Sequence, residues 1–168
     1  RQPFRYGRHG TPTTAALEDA LCELEGGART LLTASGYQAV TTAILAFVKA
    51  GDHVLMVDSV YQPTRKFCDT ILARLGVATT YYDPLVGAGI ADLIQPNTRV
   101  VFLESPGSLT FEVQDVGAIA KAAQARDVTV LMDNTWASPL YFRPLAHGVD
   151  VSITACTKYI VGHADAML

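Results

Sequence analysis

The largely apolar run Val128-Thr-Val-Leu-Met132, rich in β-branched residues, ends abruptly in Asp133. Such a run has the composition of a strand buried on both faces of a parallel sheet. Asp133 then stands at the carboxyl edge, where open α/β sheets place their ligands. A second strand-like run, Val149-Asp-Val-Ser-Ile153, leads through Thr154 to Lys158. Burial lowers a lysine's pKa and makes the amine nucleophilic enough to form an imine. A lysine and an aspartate at neighbouring strand ends suggest pyridoxal phosphate, with the lysine as Schiff-base partner and the aspartate paired to the pyridinium nitrogen. An exposed lysine and a loop-capping aspartate would give the same spacing.

The rest of the chain repeats the alternation. Strands are expected at Thr30–Thr33, Asp52–Asp58, Ala78–Tyr82, Arg99–Glu104, Val128–Met132 and Val149–Thr154. Between them, helices are expected from a cap at Thr13 or Thr14 to Gly26, from Gly36 to Val48, from Pro63 to about Leu75, briefly up to Leu93, and from Val116 to Arg126. The opening residues and the stretch containing Pro139, Pro144 and Gly148 read as loops. Strands alternating with helices predict an α/β fold, a mainly parallel sheet with flanking helices. With no repeat or linker, residues 1–168 read as a single domain, and the ends lack cap, tail or targeting signal, as in a piece of a longer protein.

A net charge of −3 without a basic run argues against nucleic-acid binding, and no apolar stretch is long enough to span a bilayer. Cys22, Cys68 and Cys156 are odd in number and lack a C-x-x-C pair, as in reduced cytoplasmic thiols, and the histidines show no metal-ligand spacing. No metal is expected. Ser35-Gly36 opens a helix after a strand, a turn whose free N–H groups and dipole suit a phosphate. It is neither a Rossmann fingerprint nor a P-loop. Tyr61, just before Pro63, could lay its ring on a flat cofactor or cover the core edge. His53 reads as a structural hydrogen-bonding residue. Arg5, Tyr6 and Arg8 read, on composition, as surface groups.

Seven segments in order carry a resemblance: Tyr6-Gly-Arg-x-Gly-Thr11, Leu24-Glu-Gly-Gly27, Ser35-Gly36, Gly51-Asp-His-Val-Leu55, Glu104-Ser-Pro-Gly-Ser108, Asp133-Asn-Thr-Trp-Ala137 and Thr157-Lys-Tyr-x-Val-Gly-His163. Together they resemble the cysteine/methionine-metabolism enzymes that use pyridoxal 5'-phosphate. The resemblance covers essentially the whole chain. It implies the large domain of a fold-type I enzyme, here without its C-terminal domain, usually within a homotetramer. It further implies a cytoplasmic carbon–sulfur lyase of methionine biosynthesis, which eliminates from cystathionine to give homocysteine, pyruvate and ammonia. Members that act at the γ-carbon would use the same lysine, aspartate and tyrosine. A non-catalytic α/β module and a nucleotide-binding enzyme are the readings from other classes.

By this resemblance Lys158 bonds the cofactor and carries the proton, Asp133 pairs with the ring nitrogen and Tyr61 stacks on the ring. The N–H groups of Gly36 and Tyr37, with the Thr157 hydroxyl, hold the phosphate. Tyr6 and Arg8 reach the phosphate in a neighbouring subunit's site. Ala155 stands where many relatives have a phosphate-binding serine, so that contact should be missing. Ser108 replaces an asparagine of the γ-acting members, which favours the β-lyases, and Ala164 replaces a serine to which no consequence is assigned.

Overall fold

The computed structural model describes residues 6–168, so Arg5, read above with Tyr6 and Arg8, lies outside the described residues. Helix α1 covers Pro12–Glu25 and α2 covers Gly36–Phe47; strand β1 follows at His53–Val57. Helix α3, Gln62–Phe67, continues through a π-helical turn at Cys68–Leu72 to β2 at Ala78–Tyr82. Then come β3 (Thr98–Glu104), α4 (Val116–Gln124), β4 (Thr129–Asp133), α5 (Ser138–Tyr141) and β5 (Val151–Ile153). The five strands form one sheet in the order β2-β1-β3-β4-β5, and every pair is parallel. The α/β architecture expected from the alternation is therefore present.

All five residues of β1 are buried, as are six of the seven in β3, so both faces of the sheet centre are covered. Val40 and Ile44 of α2 and Ile119, Ala120 and Ala123 of α4 join these strands in one core. β2 instead alternates between exposed and partly covered positions before Tyr82, as an edge strand does.

Three local expectations need correction. The cap of α1 is Thr11: its side chain accepts the Thr14 N–H at 3.2 Å, and Pro12 occupies the first turn. Proline fits there because its missing N–H would be unpaired anyway, which moves the start two residues ahead of Thr13. Thr30–Thr33 is not a strand. This segment and β5 both line a cavity of about 550 Å³, and among the described residues β5 pairs with β4 alone, so Thr30–Thr33 has no ladder partner there. The proline-broken stretch contains short helical turns at Ser138–Tyr141 and Pro144–His147. There the prolines sit at first-turn positions, where they start helices.

His53 is the structural residue the sequence suggested. It is buried, with Nδ1 2.8 Å from Thr98 Oγ1 and Nε2 2.9 Å from Thr80 Oγ1, so it ties the start of β1 to the start of β3 and the middle of β2. Desolvation lowers its pKa. The native state therefore keeps a neutral ring where the unfolded chain has already bound a proton, and stability falls as pH drops through the unfolded value near 6.5. The contribution approaches about 1.4 kcal/mol per pH unit where only the unfolded chain is charged. His53→Gln should flatten the loss of thermal midpoint between about pH 7 and about pH 5.5. An unchanged slope would show that His53 titrates freely in the fold.

Candidate active site

The sheet order reverses between β1 and β3, because the chain moves first outward to β2 and then back past β1. Ligand crevices of open α/β sheets form outside the carboxyl ends at such a reversal. Tyr61 follows β1, Glu104 ends β3 and Asp133 ends β4, so all three lie along that edge. Glu104 and Asp133 are register partners. The Glu104 carboxyl accepts the Tyr61 backbone N–H at 2.8 Å, bridging the reversal point. Tyr61 has no capping side-chain bond of its own, but its carbonyl accepts Thr64 and Arg65 N–H groups and starts α3. Its ring is about half exposed beside the crevice.

Asp133 accepts the Thr135 backbone N–H at 2.9 Å. Desolvation raises its pKa, opposed by hydrogen bonds from the side chain and backbone of Thr135. No ion pair neutralises it among the described residues. Thr135 Oγ1 also accepts the Ala155 N–H at 2.9 Å. Its proton is left for Asp133, so one hydroxyl fixes both the carboxylate and the segment leaving β5.

Ala155 in turn meets the start of α2. A Cβ built on Gly36 would lie 2.5 Å from the Ala155 Cβ, so no side chain fits at position 36. Ser35 caps this helix by accepting the Gln38 N–H at 3.2 Å. Among the described residues the N–H groups of Gly36 and Tyr37 have no hydrogen-bond partner. They stay available to an anion at the positive end of the helix dipole. Tyr61, Glu104, Asp133, Thr135, Ala155 and Gly36 are thus linked by hydrogen bonds, strand register and close packing.

Lys158 lies in the turn after β5 and is exposed, the surface position that the spacing alone left open beside a buried one. The strand stops at Ile153, and the chain then folds into turns through Val161, held by the Lys158 N–H to the Ala155 carbonyl at 3.0 Å. The Thr157 hydroxyl exchanges hydrogen bonds with the Leu168 backbone at 2.9 and 3.0 Å, so it does not point to an open anion site here. Tyr6 and Arg8 also stay apart. The Arg8 guanidinium lies 5.5 Å from the Tyr6 ring centre, and that ring meets His9 edge-on. None of their hydrogen bonds or ring contacts reaches Gly36, Asp133 or Lys158.

The sequence reading missed Glu104 and Thr135. Glu104 ended a strand at the same edge as Asp133, which was the available signal. The Thr135 hydroxyl carried none, because its role depends on where the segment after β5 passes. The cysteines add no nucleophile to this constellation. Cys68 is buried, and desolvation pushes its thiol up to about 12.

These donors fit pyridoxal phosphate. A desolvated, half-buried carboxylate without a cation among the described residues suits a protonated ring nitrogen, and unpaired N–H groups at a helix start suit a phosphate. The family model for "Cys/Met metabolism PLP-dependent enzyme" matches residues 1–168. The chain belongs to that family. It is 53% identical over 165 residues to a protein of Escherichia coli K12 named cystathionine beta-lyase MetC, covering 97% of this chain and 42% of that protein. It is 44% identical to an L-alanine/L-glutamate racemase of Wolbachia pipientis wMel, over 98% of this chain and 40% of the relative. Among solved structures, cystathionine gamma-lyase from Lactobacillus plantarum, complexed with L-serine, superposes with a TM-score of 0.95 at 36% identity. That match covers 99% of this chain and 44% of the solved chain. The chain therefore spans less than half the length of these relatives.

Proposed function

We propose that this chain is the cofactor-binding domain of a PLP-dependent carbon–sulfur lyase that acts on cystathionine. The observation that carries the reading is Asp133, a desolvated carboxylate with no cationic partner at the edge shared with Tyr61 and the α2 start. The E. coli relative's name supports cystathionine as substrate. Asp133 would hold the ring nitrogen's proton, Tyr61 would cover the ring face, and the Gly36 and Tyr37 N–H groups, with Thr157 once released from Leu168, would take the phosphate. Bound there, the cofactor supplies an electron sink for negative charge at the substrate's Cα.

Lys158 would bond the cofactor at rest and, once displaced by the substrate amine, its Nζ would accept the Cα proton. The exposed turn around Lys158 suits an amine that must exchange with a substrate. The β C–S bond then breaks, and a proton from Tyr61 Oη or Lys158 Nζ converts the leaving sulfur to the homocysteine thiol. Water completes the balance by releasing ammonia and leaving pyruvate. The three cysteines are all unpaired thiols, which supports placing the enzyme in the cytoplasm. No described helix is long and apolar enough to cross a membrane. A homo-oligomer, in which Tyr6 and Arg8 serve another subunit, would explain why neither reaches the site of its own chain.

Product analysis separates the reactions that relatives with this core perform. Full-length protein with pyridoxal phosphate and L-cystathionine should release pyruvate and homocysteine in equal amounts. Cysteine with 2-oxobutyrate would instead show γ-elimination. Inversion of alanine or glutamate without thiol release would show a racemase.

A further inference from the structure

Glu104 has no part in the reaction above, yet it joins the two sides of the site. It is buried at the end of β3, beside Asp133 in register, with the Tyr61 N–H at 2.8 Å. Its own backbone N–H is bonded to Gln114 Oε1 at 3.2 Å, and Gln114 Nε2 donates to Tyr82 Oη at 3.2 Å. The Tyr82 hydroxyl donates to the Phe102 carbonyl at 3.0 Å, so a buried network fixes the main chain around Glu104. The groups that meet Glu104 are thus Asp133 from β4, the Tyr61 N–H ahead of α3, and uncharged Gln114.

Two carboxyl groups side by side in a poorly solvated place do not both ionise readily. Asp133 receives both the N–H and the hydroxyl of Thr135, whereas Glu104 receives a single N–H. The charge therefore settles on Asp133 and the proton on Glu104. Desolvation, with the Asp133 charge adding to it, pushes Glu104 up to about 8.

We propose that Glu104 is a positioning residue of the cofactor site. As a neutral acid it fixes the backbone of Tyr61, and so its ring, while leaving Asp133 as the only charge of the pair. The inference rests on the assignment of Tyr61 and Asp133 to the cofactor. An acceptor of this kind needs no charge, so an amide of the same shape replaces it until Glu104 itself ionises.

The test titrates pyridoxal phosphate into the full-length apoprotein, followed by visible absorbance, for the parent, Glu104→Gln and Glu104→Leu. At about pH 7 the Gln variant should bind within about twofold of the parent, and the Leu variant up to about tenfold more weakly, the upper range for one lost hydrogen bond. At about pH 9 the ionised parent carries a second negative charge near the ring nitrogen. It should then gain at least about threefold in affinity over the Gln variant, relative to the pH 7 comparison. A purely structural role would not move that ratio. Equal losses in the Gln and Leu variants at pH 7 would overturn the neutral acceptor, and parent-like binding by the Leu variant would overturn the positioning role. An unchanged parent-to-Gln ratio across the two pH values would overturn the shared-charge arrangement, and this comparison holds even if the Leu variant does not fold. A parent that takes up no pyridoxal phosphate would sink the cofactor reading itself.

Discussion

Asp133→Asn in the full-length protein should cut elimination from cystathionine by roughly 100- to 1,000-fold, the range seen when one preorganised electrostatic group is removed from a catalytic site. Asparagine keeps the size and the Thr135 N–H contact but cannot hold the ring nitrogen's proton. The same substitution should leave the apoprotein as stable as its parent or more so. The sign follows from the raised pKa of Asp133. The native state holds a proton over a pH range where the unfolded chain has lost it, so stability is fully present below the unfolded value and falls as pH rises through the native one. The Asn variant escapes that loss, and its thermal midpoint should pull ahead of the parent's as pH rises above about 4. A variant that turns over normally would show that the ring nitrogen has another partner. A variant that melts well below the parent at neutral pH would show that the carboxylate is already compensated within the fold. The cost of a desolvated charge without a cationic partner marks a group held for a ligand.

Much of the fold was legible because its strands are locally unambiguous. Leu55, Val101 and Leu131 sit in continuous buried runs that declare a covered parallel sheet whatever their partners are. Thr30–Thr33 has a similar local pattern yet forms no strand, since a strand needs a neighbour and sequence pattern does not supply one. Asp133 and Gly36 could be picked out by their places at a strand end and a helix start. Glu104 was hidden because its meaning depends on register between β3 and β4, a relation between residues 29 apart (133 minus 104). The position of Lys158 was left open between burial and exposure for a related reason. The apolar run before it does not say where the strand ends, and β5 has only three residues, so the turns begin before the lysine. Local pattern fixes which residues belong to an element; non-local pairing decides what their ends face.

Subunit mixing is expected to restore activity that neither of two variants has alone. Lys158→Ala removes the proposed covalent anchor and proton carrier, so it should be nearly inactive and should yield no borohydride-trapped cofactor adduct. Arg8→Ala leaves that chemistry intact but removes a guanidinium capable of paired, charge-assisted bonds to phosphate. Its loss should weaken cofactor binding by roughly 1.5–3 kcal/mol, about 10- to 150-fold, so activity is low when cofactor is limiting. Among the described residues Arg8 rests over Tyr6 and approaches His9, and neither contact is an acceptor from the site. If Arg8 serves the neighbouring subunit, a hybrid dimer contains one site with the Lys158 of one subunit and the Arg8 of the other, both intact. Full-length variants, mixed under conditions that allow exchange, should then recover up to about half of the parent activity per hybrid dimer at limiting cofactor, because one of its two sites is whole. If each subunit supplies its own Arg8, every site in the hybrid lacks one group and the mixture stays inactive. That outcome would confine the site to a single chain and return Arg8 to the surface role its composition first suggested.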